Sequence, residues 1–453
     1  MRRTLAFLAA LLVSNAMLAD DTLWTRLWSP GHVARNASVQ CRGTDALVAG
    51  SVFDTATKSS DIFVAKYSAA GSKIWNKTLN FDASDDGGTV AVGPDNCPYV
   101  GLSSGRTPTA RIVKLNTTGD TVWTRSKAST YSGPLVADNA NNVYGLFSTG
   151  TLPNDSLLLI GYNATGTLTA YRTLKLGRAH QPSGLCLVGT HLIAASNIAD
   201  SLVTRAALVK FTTSGETVWT RVLPESLATS ALAIAGEAGG DFYLLGYRPA
   251  GPVMARLNPG GDTVWTVTIS TSDPLSPSLA TDTAGNIFLA TGGQACRLYK
   301  YDSQGRFLAT LRAIVGYPIQ TVSVSIGTDD MPVATGPVVI SPQNVPVLTV
   351  KFANPAGGVA KPAVPYQVPN IRVQPNPVTR ESATVRILGS KSSRAQRASV
   401  TVFDVSGRPV LHHPSSWNPA LGIAIDLRNV NAGVYLVKVE ANGFTQTQKL
   451  VVQ

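Results

Sequence analysis

The sequence is poor in charge: Asp, Glu, Lys and Arg make up only 14 % of its 453 residues, against ~25 % in an ordinary soluble chain. Histidine and cysteine are scarce too, with five and four copies. No apolar run of eighteen residues occurs after the first twenty, so the mature chain has no candidate membrane-spanning helix. Cys-x-x-Cys, zinc-like Cys/His spacings and His-Glu-x-x-His are all missing, which argues against those metal centres. Basic runs interleaved with aromatics are absent as well, which argues against a nucleic-acid partner. With 40 Gly and 27 Pro, composition is near average for those residues and excludes collagen-like and disordered classes. What remains is a chain rich in Ser, Thr and Asn, expected to be mostly β.

Residues 1–19 have the layout of a secretory signal peptide. Arg2 and Arg3 precede the apolar stretch Leu5–Val13, and small residues at Ser14, Ala16 and Ala19 follow. Cleavage is expected after Ala16 or Ala19. Export permits disulfides among Cys41, Cys97, Cys186 and Cys296, and the spacing leaves all three pairings open. Charge divides unevenly. Residues 20–353 carry 25 basic and 23 acidic side chains, whereas 369–453 carry 10 and 4.

Internal repetition organises the larger part. AKYSAAGSKIW (65–75), VKLNTTGDTVW (113–123), VKFTTSGETVW (209–219) and ARLNPGGDTVW (255–265) are copies of one unit, with weaker copies at 160–170 and 299–309. The ends of these stretches lie 44 to 49 residues apart, the period of a propeller blade. A second hairpin precedes each, as in SLATDTAGNIFLATG (278–292), with Asp, Gly and Asn supplying the turn. Seven first, second and third strands can be counted, but only six fourth strands follow them. DTLWTR (21–26) copies DTVWTR (120–125). It supplies the seventh by pairing with the third strand near 347–353, which removes an exposed sheet edge. Trp24, Trp75, Trp123, Trp219 and Trp265 occupy one repeat position. Regular placement of this kind suits packing between blades better than a ligand platform.

These motifs resemble the β-propeller repeat of many secreted bacterial proteins. DIFVAKYSAAGSKIW (61–75) is the best copy, and the likeness covers about 20–353. It implies architecture and says almost nothing of a ligand. Residues 354–370 (NPAGGVAKPAVPYQVPN) read as a Pro/Gly-rich linker. Residues 371–453 contain seven short strand-like runs, as in an immunoglobulin-like β-sandwich. Here PNP (Pro375, Asn376, Pro377), VFDVSGRPV with Gly407, the GVYLVKV run with Gly433, Tyr435 and Lys438, and the final KLVV resemble the type A C-terminal sorting domain of the type IX secretion system. The resemblance implies handling by the type IX translocon and display at the cell surface or release. The expected fold is all-β: a seven-bladed β-propeller followed by a small immunoglobulin-like β-sandwich.

No catalytic constellation is found in the sequence. Gly101-Leu102-Ser103-Ser104-Gly105 has the letters of a nucleophile elbow, but it ends a strand and enters a loop with no helix to follow. Asp82, Asp85 and Asp86 could hold calcium loosely but lack EF-hand spacing, and turn chemistry is the simpler account. No other cofactor is indicated. The long, variable loops between fourth and first and between second and third strands share one face. Recognition is expected there, with Lys58, Arg106, Arg178, His180 and Tyr317 as polar or aromatic candidates. The function expected is therefore a surface or extracellular binding and interaction module for a protein or glycan. The alternatives are a carbohydrate- or peptide-degrading enzyme on the same scaffold, or a purely structural surface protein.

Overall fold

The computed structural model describes residues 21–453 except 31–32, 83, 105–108, 130–132, 151–154, 201–202, 238, 272, 274, 315, 355–371, 375–377, 379–383, 389–395, 406–407, 418–422, 429 and 442–443. The signal segment 1–19, the linker after Asn354, Arg106, Pro375, Asn376, Pro377 and Gly407 lie outside the described residues. The chain divides into two compact units, Met1–Gly358 and Val359–Gln453. No helix occurs among the described residues.

Seven antiparallel sheets make up the first unit. Blade 1 contains Ser38–Arg42, Asp45–Phe53, Ser60–Tyr67 and Lys73–Leu79, from innermost to outermost, plus a short flanking strand Val33–Ala34. Blades 2 to 6 follow in chain order with four strands each. Blade 7 takes Ser323–Ile326, Pro332–Pro337 and Val347–Phe352 from the end of the unit and its outermost strand, Thr22–Trp28, from the beginning. That last pair runs from Thr22 opposite Phe352 to Trp28 opposite Val347. The polypeptide thus closes its own ring, and neither terminal segment leaves an inner strand unpaired.

The outer hairpins show why the repeat contains both Gly and Trp. Each turns at a glycine of positive φ: Gly71, Gly119, Gly166, Gly215, Gly261 and Gly305, with φ between 77° and 91°. Only glycine adopts this conformation without strain. The turn is held by its first residue. Asn116 Oδ1 accepts the N–H groups of Thr118 and Asp120 at 3.0 and 2.8 Å, and Asp302 does the same for Gln304 and Arg306. A side chain would also find no room. A Cβ on Gly71 would lie 2.6 Å from the ring of Trp24, and one on Gly119 2.9 Å from that of Trp75. Each Trp leans on the next blade's turn and donates its indole N–H there: Trp24 to Ala69 O (2.8 Å), Trp75 to Thr117 O (2.9 Å), Trp123 to Ala164 O (3.1 Å), Trp219 to Pro259 O (3.3 Å) and Trp265 to Ser303 O (3.1 Å).

The hydrophobic interior is correspondingly a set of seams. One cluster joins Leu47, Val64 and Leu79 of blade 1 to Val90, Val100 and Val113 of blade 2. Another joins Val188, Ile193 and Leu208 of blade 4 to Ile234, Phe242 and Leu257 of blade 5. A third unites Val333 and Val347 of blade 7 with Val48 and Phe63 of blade 1, so the ring is closed by packing as well as by the strand pair. Around the axis, serine hydroxyls stitch inner strands together. Cys41 N donates to Ser325 Oγ at 3.0 Å, Val322 N to Ser276 Oγ at 2.9 Å, and Ser38 Oγ to Gly88 O at 2.9 Å.

The second unit is a β-sandwich. One sheet comprises Arg372–Gln374, Thr384–Leu388 and Ile423–Asp426; the other comprises Pro409–Trp417, Gln396–Phe403, Gly433–Ala441 and Phe444–Val452. Ile425 and Leu427 pack on Val400, Val402, Tyr435, Val437 and Leu450 between the sheets. Gly433 opens its strand. Tyr435 is buried, and its hydroxyl donates to Asn431 O at 2.8 Å. Lys438 is half-buried opposite Thr401.

Candidate functional site at one mouth of the ring

The propeller has two faces. Turns from first to second strand and from third to fourth strand share one. The longer connections share the other, where the sequence places recognition. Each face has a depression at the axis, and the two differ in chemistry.

On the turn face, a cavity of about 460 Å³ is bordered by turns of blades 1, 5, 6 and 7, including Arg42, Glu237, Asp282 and Asp330. Its carboxylates already have work within the fold. Glu237 pairs with Arg256 at 2.9 Å and accepts from Tyr243 Oη. Asp282 holds its own turn through the N–H groups of Ala284 and Asn286. Asp330 accepts from Thr283 N and Oγ1 at 2.9 and 2.6 Å. Burial pushes the Cys41 thiol up to about 12, so it is not a nucleophile at neutral pH.

On the loop face, a depression of about 700 Å³ opens from the axis outward between blades 4 and 5. Its described lining is Thr89, Gly133, Pro134, Gln181, Pro182, Ser183, Asn197, Thr204, Ser230, Ala231, Leu232 and Tyr247, with no charged side chain among them. In blade 4, Gln181 lies opposite Asn197; in blade 5, Ser230 lies opposite Tyr247. Each pair therefore projects from one side of its sheet. Asn197 locks the floor: its Oδ1 accepts Ala231 N at 2.7 Å and its Nδ2 donates to Ala231 O at 3.0 Å. The inner strands carry β-bulges here, between Pro182 and Gly184 and between Ala231 and Ala233. The extra residues, Ser183 and Leu232, are turned into the lining. Gln181, Thr204 and Tyr247 are exposed, and Ser183 Oγ is enclosed with no hydrogen-bond partner among the described residues.

Of the residues singled out from sequence, Lys58, Arg178, His180 and Tyr317 are described, and they are scattered over the loop face. Lys58 sits exposed in the second-to-third loop of blade 1 with φ 59°. Arg178 is exposed ahead of blade 4, and Tyr317 (41 % exposed) ahead of blade 7. None of these three is among the described lining of the depression. His180 corrects the expectation of an open loop residue: it is 2 % exposed. Its backbone N–H and Nδ1 meet Asp155 Oδ1 at 2.8 and 3.3 Å, and its Nε2 accepts Leu176 N–H at 2.9 Å. Held by Asp155 on one side and Leu176 on the other, the imidazole is a pin for loop 174–180.

The acidic loop is likewise occupied by structure. Asp85 Oδ2 accepts Phe81 N at 2.7 Å and Asp82 N at 3.3 Å, while Asp86 Oδ1 accepts from Ser51 Oγ at 2.9 Å and Asn36 Nδ2 at 3.4 Å. The side chains thus serve separate turns and seams. Ser103 lies in the strand Pro98–Ser104 rather than at an elbow, and Arg111 Nε donates to Ser104 Oγ. The cysteines are free thiols, with Cys97 half-buried and the others buried, so the bridge left open between Cys41 and Cys97 is not formed. Sequence reasoning missed Gln181, Ser230 and Tyr247. The one available signal was their position at strand ends on the variable face.

Fold and site together define an all-β, ring-closed propeller joined to a β-sandwich. Residues 372–453 match the model of the secretion system C-terminal sorting domain. The tail is thus a type IX sorting domain, and it directs the protein to the cell surface or the extracellular space. No curated protein matches the chain. Among solved structures, the chain is similar to the Dos1 propeller, with 9 % identity, 76 % of this chain and 99 % of that one covered, and a TM-score of 0.45. It is also similar to the β-propeller domain of the trilobed protease from Pyrococcus furiosus (7 %, 70 % and 93 %, TM-score 0.45). A gluconolactonase from Xanthomonas campestris is a third likeness (11 %, 72 % and 98 %, TM-score 0.40). Similarities of this order carry no activity across.

Proposed function

We propose that the exported propeller is a binding module whose ligand enters the depression between blades 4 and 5 on the loop face. One observation carries this reading. Gln181, Ser183, Thr204, Ser230 and Tyr247 converge on a cavity of about 700 Å³, and among the described residues their side chains make no hydrogen bond. Specific pockets ordinarily fall in this size range and place a few polar groups to orient what they hold. The sorting tail supports a partner met outside the cell. In the test, the full mature chain is titrated with a panel of oligosaccharides and peptides, and bound material is recovered for mass spectrometry. Capture of a panel member that is returned unaltered, and weakened capture by Tyr247→Ala, is the expected result. Recovery of cleaved material would instead make the protein an enzyme on this scaffold.

A further inference from the structure

We infer that the ligand class of this depression is a neutral saccharide, an inference that rests on the binding reading above. The lining pairs hydroxyls and one free amide with an aromatic ring and places no ion among them. Each hydroxyl of Ser183, Thr204, Ser230 and Tyr247 can both donate and accept, and the Gln181 amide offers two donors and one acceptor. That set complements a molecule whose own groups are hydroxyls, each again donor and acceptor.

Charge decides against the competing classes. A sulfated or uronic saccharide, or a peptide carrying Lys, Arg, Asp or Glu, would leave water for a wall that offers no counter-ion among its twelve described residues. Desolvating a charge without a partner is costly. A peptide main chain also seeks a strand edge to extend. The inner strands at this mouth are the edge strands of their sheets, but on the blade 5 edge the N–H and C=O of Ala231 are already taken by the Asn197 amide. The apolar groups fit a sugar as well. A pyranose ring presents a face of C–H groups between its hydroxyls. Tyr247, 39 % exposed at the rim, offers an aromatic face to it, and Pro134, Pro182 and Leu232 line the floor. Among the described residues the enclosed Ser183 Oγ has no hydrogen-bond partner, and an unpaired buried hydroxyl is costly. The cavity has room for a short oligosaccharide.

The test uses the full mature chain and three sets of probes: neutral hexose- and N-acetylhexosamine-terminated oligosaccharides, their sulfated or uronate counterparts, and Ser/Asn/Gln-rich peptides. Binding is measured by calorimetry for wild type, Gln181→Ala, Tyr247→Ala, Tyr247→Phe and, at the opposite mouth, Arg42→Ala. Matching thermal unfolding shows that each variant is folded, and Tyr247→Phe retains the ring should Tyr247→Ala fail. The expected result is binding of neutral saccharides that weakens about tenfold in Gln181→Ala and Tyr247→Ala, less in Tyr247→Phe, and not at all in Arg42→Ala. Binding confined to acidic saccharides or peptides, still sensitive to Tyr247, would overturn the saccharide class and leave the binding module standing. Neutral saccharides bound equally by every variant would overturn the site. No binding by any probe would overturn both readings.

Discussion

The two faces of the propeller are made by the same strands, yet they use polar side chains in opposite ways. On the turn face, recurring residues clasp one blade to the next. Lys114 Nζ pairs with Asp95 at 2.8 Å and also reaches Ala164 O in blade 3 at 3.3 Å. Arg256 pairs with Asp241 and Glu237 and donates to Ser303 O in blade 6. Lys351 pairs with Asp329 at 2.6 Å and reaches Thr44 O in blade 1. Blade 6 shows the rule by its exception. Its neighbour, blade 7, takes its outermost strand from the beginning of the unit, and Asn354, just beyond the third strand, fills the role of the turn carbonyl by accepting from Lys300 Nζ at 2.7 Å and donating to Asp330 O. On the loop face, Thr89 and Asn197 still stitch neighbouring blades, through Gly133 O at 3.0 Å and through Ala231, whereas Gln181, Thr204, Ser230 and Tyr247 belong to no such series. What recurs from blade to blade holds the ring.

The comparison can be broken most severely at the closure. Removing residues 21–28 uncovers Val347, Leu348, Val350 and Phe352, all now buried, and should cost more than about 5 kcal/mol, comparable with the whole stability of many domains. Thermal unfolding and gel filtration should show loss of a cooperative transition. A melting temperature within a few degrees of wild type would contradict closure by the N-terminal strand. Next in size is Trp123→Ala, which empties a seam where Trp123 is 7 % exposed and should cost about 3–5 kcal/mol in denaturant unfolding. Lys114→Met keeps the stem but removes the cation paired with Asp95, while Ala164 O keeps the Trp123 indole N–H. About 1–3 kcal/mol is expected, since Asp95 is partly solvated. Gln181→Ala sharpens the contrast from the other side. It should change stability by less than about 0.5 kcal/mol while weakening ligand capture. A loss as large as that of Lys114→Met would mean that the loop-face groups are structural after all.

Much of the architecture could be read from residues close together in the chain. The Gly turn with its Asn or Asp at the first position is settled within five residues, as Asn116 to Asp120 shows. The Trp at each fourth strand and the copy of that strand at 21–26 both follow from the repeat, and together they place the closing pair. The roles of the lysines could not be read in the same way. VKL and AKY were visible as motifs, but the carbonyl that Lys114 reaches lies 50 residues away. The serine stitch between Cys41 and Ser325 joins residues 284 apart. His180 misled for the same reason. A histidine beside Arg178 in a Gly-containing stretch looks solvated until Asp155, from the previous blade, closes over it.

By itself, the sequence determined the strands, the turns, the number of repeats and the export address, because each depends on short-range chemistry or on a motif copied whole. The tertiary structure alone decided which polar groups remain unpaired at the mouth between blades 4 and 5. A free hydrogen-bonding group is what is left after every other partner has been assigned, and that assignment is complete only when seven sheets, brought together from distant parts of the chain, stand around one axis.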